Sequence, residues 1–184
     1  MGIGRLLLRV IVGSLFVGHG TQKLFGWFGG AGVSGTAKAM GDAGLQPARA
    51  NAALAGCAET GGGVLLLLGL ETPLAAASLS SVMLTAIRSV HLEKGPWSSN
   101  GGYEYPLALV GTLFALTESG PGTVSLDALR GRQRRGLRWA VMQLGVAALG
   151  SHAVLAAGRR QSAARPVTPE SPQFGGTAER LRAA

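Results

Sequence analysis

The chain has 184 residues, of which 47% are hydrophobic and only 14% charged, with glycine at 30 positions. A soluble domain is about 25% charged, so this composition excludes an ordinary soluble globular fold and suits four or five short membrane spans. The net charge of +8 is concentrated rather than spread: Arg130, Arg132, Arg134, Arg135 and Arg138 form one block, and five more arginines occur from Arg159 onward. Basic blocks beside apolar runs mark cytoplasmic loops and lipid headgroups, and with no accompanying binding motif no nucleic-acid partner is expected. Cys57 is the single cysteine, which rules out an internal disulfide or a CxxC pair within the chain. Three histidines without a ligand-spacing motif predict no metal site.

The first predicted span covers residues 4–28. Arg5 and Arg9 precede its apolar run as in a signal peptide, but no small-x-small cleavage site follows, so a retained helix is expected. Phe25, Trp27 and Phe28 sit where an interfacial aromatic belt would form. Residues 29–46 are glycine-rich and read as a loop, with a short helix around 35–43. Pro47 opens a second helix over 48–70, in which Cys57 reads as a packing residue. The turn Glu71-Thr72-Pro73 is so short that helices two and three must form an antiparallel hairpin, with Thr72 as N-cap and Pro73 in the first turn of a helix reaching His91.

A loop over 93–102 contains Gly95-Pro96 and Asn100-Gly101, both turn signals, and Trp97, an interfacial anchor like Trp27. Helix four starts near Tyr103. Only thirteen uncharged residues separate Glu104 from Glu118, about 20 Å of helix, which is short for a hydrocarbon core, so the glutamates must lie near its ends. After the arginine block, residues 139–158 carry no formal charge and predict a fifth span, with a surface helix as the alternative. The expectation is an all-α integral membrane protein: a four-helix transmembrane bundle over 1–125, a basic cytoplasmic loop over 126–138, a fifth hydrophobic helix over 139–158 and a disordered basic tail over 159–184. It would be a multi-pass protein of the cell (plasma) membrane, with the lipid bilayer as its first partner.

If the helices alternate in direction with the N-terminus inside, the ionisable residues of the spans gather toward the outer side. His19 and Lys23 share a face of helix one at i,i+4, and Arg88 and His91 share a face of helix three at i,i+3. Glu59 falls eleven residues into helix two, about 16 Å along it, and Glu104 and Tyr105 open helix four. Ionisable groups cost about 2.5–3.5 kcal/mol each at a bilayer centre. The seven residues are therefore expected to build one polar pocket, in which Glu59 pairs with a cation, Arg88 being the first choice. For His19 and Lys23 the alternative is an interhelical hydrogen bond and a lysine reaching the headgroups. For Glu59 it is a structural ion pair beside Gly61, Gly62 and Gly63, and for Arg88 and His91 it is the helix macrodipole. Glu104 could equally mark a helix start.

Three motifs lie on these same residues: His19-Gly20-Thr21-Gln22-Lys23-Leu24-Phe25-Gly26-Trp27, then Glu59-Thr60-Gly61-Gly62-Gly63, then Asn100-Gly101-Gly102-Tyr103-Glu104-Tyr105-Pro106-Leu107. In this order they resemble the DoxX family over residues 4–119. The resemblance implies a four-helix membrane fold and a small membrane subunit associated with oxidoreductases, thiosulfate:quinone oxidoreductase among them. It further implies, as partners, a sulfurtransferase or a superoxide dismutase gathered at the membrane for sulfur metabolism or oxidative-stress resistance.

The chain has no haem-attachment motif, no cluster cysteines and no dinucleotide fingerprint, so redox chemistry would need a diffusible cofactor, such as a quinone, or a partner's centre. Whether the chain is itself an enzyme or an accessory subunit is left open. The competing readings are a non-catalytic scaffold that docks partners or lipid through Arg130, Arg132, Arg134, Arg135 and Arg138, and a small-solute transporter.

Overall fold

The computed structural model describes residues 2–163, and within them all regular structure is helical. The helices are α1 (Ile3–Phe25), α2 (Gly32–Asp42), α3 (Ala48–Leu68), α4 (Thr72–Ala86), α5 (Glu104–Ser119), the single turn α6 (Leu126–Leu129) and α7 (Leu137–Ala163). Four segments are long and apolar enough to cross a bilayer: α1, α3, α4 with its extension to Lys94, and α7 as far as Gln161. At 16 residues α5 is the short member of a five-helix bundle.

The tightest packing is between α1 and α3. Lipid tails are as apolar as the side chains, so helices in a bilayer associate through close backbone approach rather than through burial of apolar surface from water. Glycines supply that approach here with a seven-residue repeat on both helices, Gly13 and Gly20 on α1 against Gly63 and Gly56 on α3. A Cβ on Gly13 would stand 2.9 Å from the Gly63 carbonyl oxygen, and one on Gly20 would stand 2.8 Å from that of Gly56. The order of these pairs makes the two helices antiparallel. Of the predicted glycine triplet, Gly63 faces α1 and Gly62 faces Leu79 of α4, whereas Gly61 meets nothing. The core of the bundle is Val12, Phe16, Leu66, Ala75, Ala76, Leu79, Leu109, Leu113 and Leu116.

α7 runs parallel to α4 and is joined to it by polar contacts. Gln143 donates from Nε2 to Ala76 O at 3.1 Å and to Ser80 Oγ at 2.8 Å, and Gly150 lies against Ser81. Ala140, Gln143, Ala147 and Ser151 are buried on this face, while Val141, Met142 and Leu149 are exposed on the others. Further along, Gly158 lies beside the backbone of Gly44 and Gln46.

Several boundaries differ from expectation for local reasons. α1 stops at Phe25 because Gly26 adopts a left-handed conformation (φ 74°) and returns its N–H to Gln22 O; Trp27–Gly29 then form a separate 3-10 turn. The short helix expected around 35–43 is the eleven-residue α2, which starts three residues earlier at Gly32 and packs on α3 and α1. Thr72 is not an N-cap but the buried first residue of α4. Glu71 holds the cap position at φ 47°, and the free donors of that helix are met from far along the chain by Asp127. α4 continues through a π turn, Ile87–His91, and a 3-10 turn, Leu92–Lys94. α7 runs past 139–158 at both ends, so the first five residues of the predicted tail are helical; 164–184 lie outside the described residues. Cys57 is exposed on α3 rather than packed inside.

Candidate functional site

The bundle has two unlike ends. At one gather the start of α1, the α3–α4 turn, the end of α5, α6 and the arginine block. At the other gather the end of α1, α2, the start of α3, the π turn and the 92–103 loop. These are called the basic end and the cavity end.

At the cavity end the helices splay around a cavity of about 1070 Å³, lined by residues of α1, α2, α3, α4, α5 and α7. Its wall is mainly apolar, with Phe16, Leu54, Leu74, Met83, Leu109 and Val146 among the lining residues. A limited polar set interrupts it: His19, Lys23, Asn51, Glu59, His91, Tyr105 and several hydroxyls. An apolar cavity with a few convergent polar groups is the usual form of a small-molecule site.

Lys23 and Glu59 form the charged element of this wall. Lys23 Nζ donates to Glu59 Oε2 at 2.5 Å, with the glutamate side chain 1% exposed and the lysine 26%. The ion pair therefore forms with Lys23, not with Arg88 as expected. The reason is the stagger of α1 and α3. Leu24 lies against Gly56, so the first eight residues of α3 project beyond α1. Glu59, deep when counted along its own helix, sits only about 6 Å in from the end of α1, within reach of a lysine there.

Five of the seven predicted pocket residues line the cavity: His19, Lys23, Glu59, His91 and Tyr105. His19 Nδ1 lies 3.2 Å from Gln22 Oε1. His91 Nδ1 donates to Gly101 O at 2.6 Å, which leaves Nε2 as an acceptor in the neutral ring. Arg88 and Glu104 do not join them. The π turn changes the angular spacing of its residues, so Arg88 and His91 no longer stack as they would on an α-helix. Arg88 is exposed and reaches Ser151 Oγ at 3.5 Å. Glu104 is exposed and accepts the Ser98 N–H at 2.9 Å, closing the 92–103 loop onto the start of α5. That loop is further tied by Tyr103 N to Gly95 O at 3.1 Å and Glu104 N to Pro96 O at 2.8 Å. Gly102 is so tightly enclosed that a Cβ there would collide with Gly95 O. The third motif thus builds the rim of the cavity and contributes Tyr105 to its wall.

Sequence reasoning missed the contributions of α2 and α7. Thr36, Ala39, Met40 and Ala43 of α2 line one side, and Val146, Gly150 and Val154 of α7 another. It also missed Asn51, whose buried Nδ2 has no hydrogen-bond partner among the described residues. Asn51 falls one helical turn from the Pro47 start of α3, a position that resembles cap chemistry in a sequence.

At the basic end the buried charges serve the fold. Arg9, 1% exposed, donates to four backbone carbonyls: Leu66 O at 2.9 Å, Leu67 O at 2.7 Å, Pro121 O at 2.6 Å and Val124 O at 2.8 Å. Arg5 donates to Ser119 O at 2.7 Å. Asp127 accepts from the N–H groups of Glu71 and Thr72 at 2.9 and 3.2 Å. Of the five block arginines, Arg134 pairs with Glu71, and both Arg134 and Arg138 lie over the Trp139 ring, at 5.5 and 5.7 Å. Arg130, Arg132, Arg135 and Arg138 are exposed. Among the described residues no cluster of histidine, cysteine and carboxylate side chains could hold a metal ion.

Comparison with known proteins places the chain in a family. The DoxX family profile matches residues 4–92, the stretch from α1 through the π turn. CatD of Bacillus subtilis (strain 168), whose name places it provisionally among the oxidoreductases, is 37% identical over 117 residues, 64% of this chain and 81% of CatD. An uncharacterised protein of Haemophilus influenzae (strain ATCC 51907 / DSM 11121 / KW20 / Rd) is 38% identical over 65 residues, 35% of this chain and 43% of that protein. No solved structure matches the chain. A relative of this identity, matched over four-fifths of its own length, together with a family profile that spans the cavity's polar residues on α1, α3 and the π turn, makes this chain a member of the DoxX family of membrane proteins.

Proposed function

We propose that this chain is the membrane subunit of an oxidoreductase complex and that its cavity takes a lipid-soluble quinone. The observation that carries the reading is the Lys23–Glu59 pair in the wall of a large apolar cavity. Lys23 is the one lysine or arginine among the lining residues, and Glu59 neutralises it at 2.5 Å. Arg88, which would have added positive charge, stands outside. A small anion such as thiosulfate would meet no net positive charge there, whereas a neutral molecule with an apolar body would meet an apolar wall.

The polar groups suit such a molecule. Lys23, Tyr105 and the unpartnered Nδ2 of Asn51 can donate to carbonyl oxygens, and Nε2 of His91 can accept from a hydroxyl. A quinone supplies two-electron carrier chemistry when bound. The chain's own part is to hold its ring, exclude water and offer protonatable groups at its oxygens. The electron source would be a separate enzyme, for which the family resemblance offers a sulfurtransferase or a superoxide dismutase, and the oxidoreductase name of CatD supports a redox setting.

The test is to purify the tagged chain from its own membranes in mild detergent, identify co-purifying proteins by mass spectrometry and titrate a short-chain quinone. Recovery of a redox enzyme with quinone binding that Glu59→Gln and Lys23→Met weaken is the expected result. Recovery of partners with no quinone binding would favour the scaffold reading. Binding unchanged in both variants would overturn the cavity assignment.

A further inference from the structure

The arginine block carries an inference independent of the cavity. The acids around it are mostly committed: Glu71 pairs with Arg134, and Asp127 is spent on the α4 donors. Arg130, Arg132, Arg135 and Arg138 are exposed, and among the described residues none of them pairs with a carboxylate. Exposed leucines flank them: Leu129, just before Arg130, is 82% exposed, and Leu137, just before Arg138, is 60% exposed.

A loop standing free in water, or one docking an acidic protein through charge alone, has no use for two leucines so fully displayed. Exposed leucines beside arginines, Leu137 among them at the first turn of a helix long and apolar enough to cross a membrane, are the pattern of a segment lying in the headgroup layer. Trp139 strengthens the placement, because tryptophan concentrates at that depth. Arg134 and Arg138 both lie over its ring, at 5.5 and 5.7 Å from the centroid, so the aromatic brings two guanidinium groups to this position. Guanidinium groups fork onto phosphate oxygens in a way that an ammonium cannot.

We propose that residues 129–139 form a binding surface for the anionic phospholipids of the adjoining leaflet, with the exposed arginines on the phosphates and Leu129 and Leu137 among the upper acyl carbons. This surface anchors the start of α7, and through α7 one wall of the bundle, to a chosen lipid composition.

The experiment uses the full chain in bilayers, with Trp27→Phe and Trp97→Phe leaving Trp139 as the single fluorophore. Brominated phosphatidylglycerol or brominated phosphatidylcholine is introduced at equal mole fraction, and quenching reports which lipid sits beside Trp139. Phosphatidylglycerol should be preferred by at least about fivefold, the equivalent of one arginine's attraction to an anionic surface, and less so in high salt. Changing Arg130, Arg132, Arg135 and Arg138 together to glutamine should bring the ratio to about one while the helical circular dichroism stays unchanged. A ratio near one in the chain with its arginines intact would overturn the proposal and return the surface to an acidic protein partner. An undiminished ratio in the glutamine variant would overturn it as well.

Discussion

Arg9 and Lys23 lie on the same helix, fourteen residues apart, and both reach toward α3, yet they do opposite things. Arg9 spends four of its five N–H groups on carbonyl oxygens and ties α1 both to the end of α3 and to the 121–124 segment. Lys23 makes one ion pair, stays a quarter exposed and borders open space. A buried charge whose bonding capacity is filled by backbone holds the fold. A charge with capacity left over, at the edge of a cavity, is free to meet a ligand. The contrast gives a criterion for membrane chains in which every intramembrane charge looks equally suggestive: count the unfilled hydrogen bonds and ask whether there is room beside them.

Substitutions at the two ends should separate these roles. Arg9→Met strips the donor from four carbonyls at once and should cost about 3–5 kcal/mol or prevent folding, read as loss of the thermal transition in detergent. Arg9→Lys should recover little of this, because one ammonium cannot span the four acceptors. Gly20→Ala places a methyl against Thr60 and the Gly56 carbonyl and should cost about 1–3 kcal/mol by the same measurement. Gly61→Ala, on the facing helix α3 but with nothing within 4 Å, should be neutral or stabilising by up to about 1 kcal/mol. Glu59→Gln should cost only about 1 kcal/mol, since Lys23 can turn to water, while quinone binding is weakened. A melting loss for Glu59→Gln as large as that for Arg9→Met would erase the distinction between the two ends.

The spans were legible in the sequence because composition and length alone define them, and so was the meeting of His19, Lys23, Glu59, His91 and Tyr105 at one end. The stagger of α1 and α3 was not. It depends on which glycines face each other, and the match of Gly13 and Gly20 with Gly63 and Gly56 shows as a repeat only once the helices are known to be antiparallel. For that reason the sequence points Glu59 to Arg88, whereas the fold pairs it with Lys23. The π turn was equally hidden: nothing in Ile87-Arg88-Ser89-Val90-His91 announces a widened turn, so an i,i+3 pair read as one face became two. In the sequence Arg9 reads only as part of the basic start of an apolar run, because its helix shows no acidic partner in register. Its partners are carbonyls, which every residue has and no sequence displays.

The shortness of α5 reaches beyond the protein. Its 16 residues span about 24 Å, and both ends are pinned, Glu104 N to Pro96 O and the Glu118 carbonyl to Gly136 N. A hydrocarbon layer near 30 Å cannot be matched on that side by tilting a helix too short to reach across it, so the lipid must give way, thinning beside α5 while it keeps its thickness along α7. The bundle should therefore impose a slope on a bilayer that surrounds it. Short-chain lipids should collect on the α5 flank, and membranes of different thickness should not be equally good hosts.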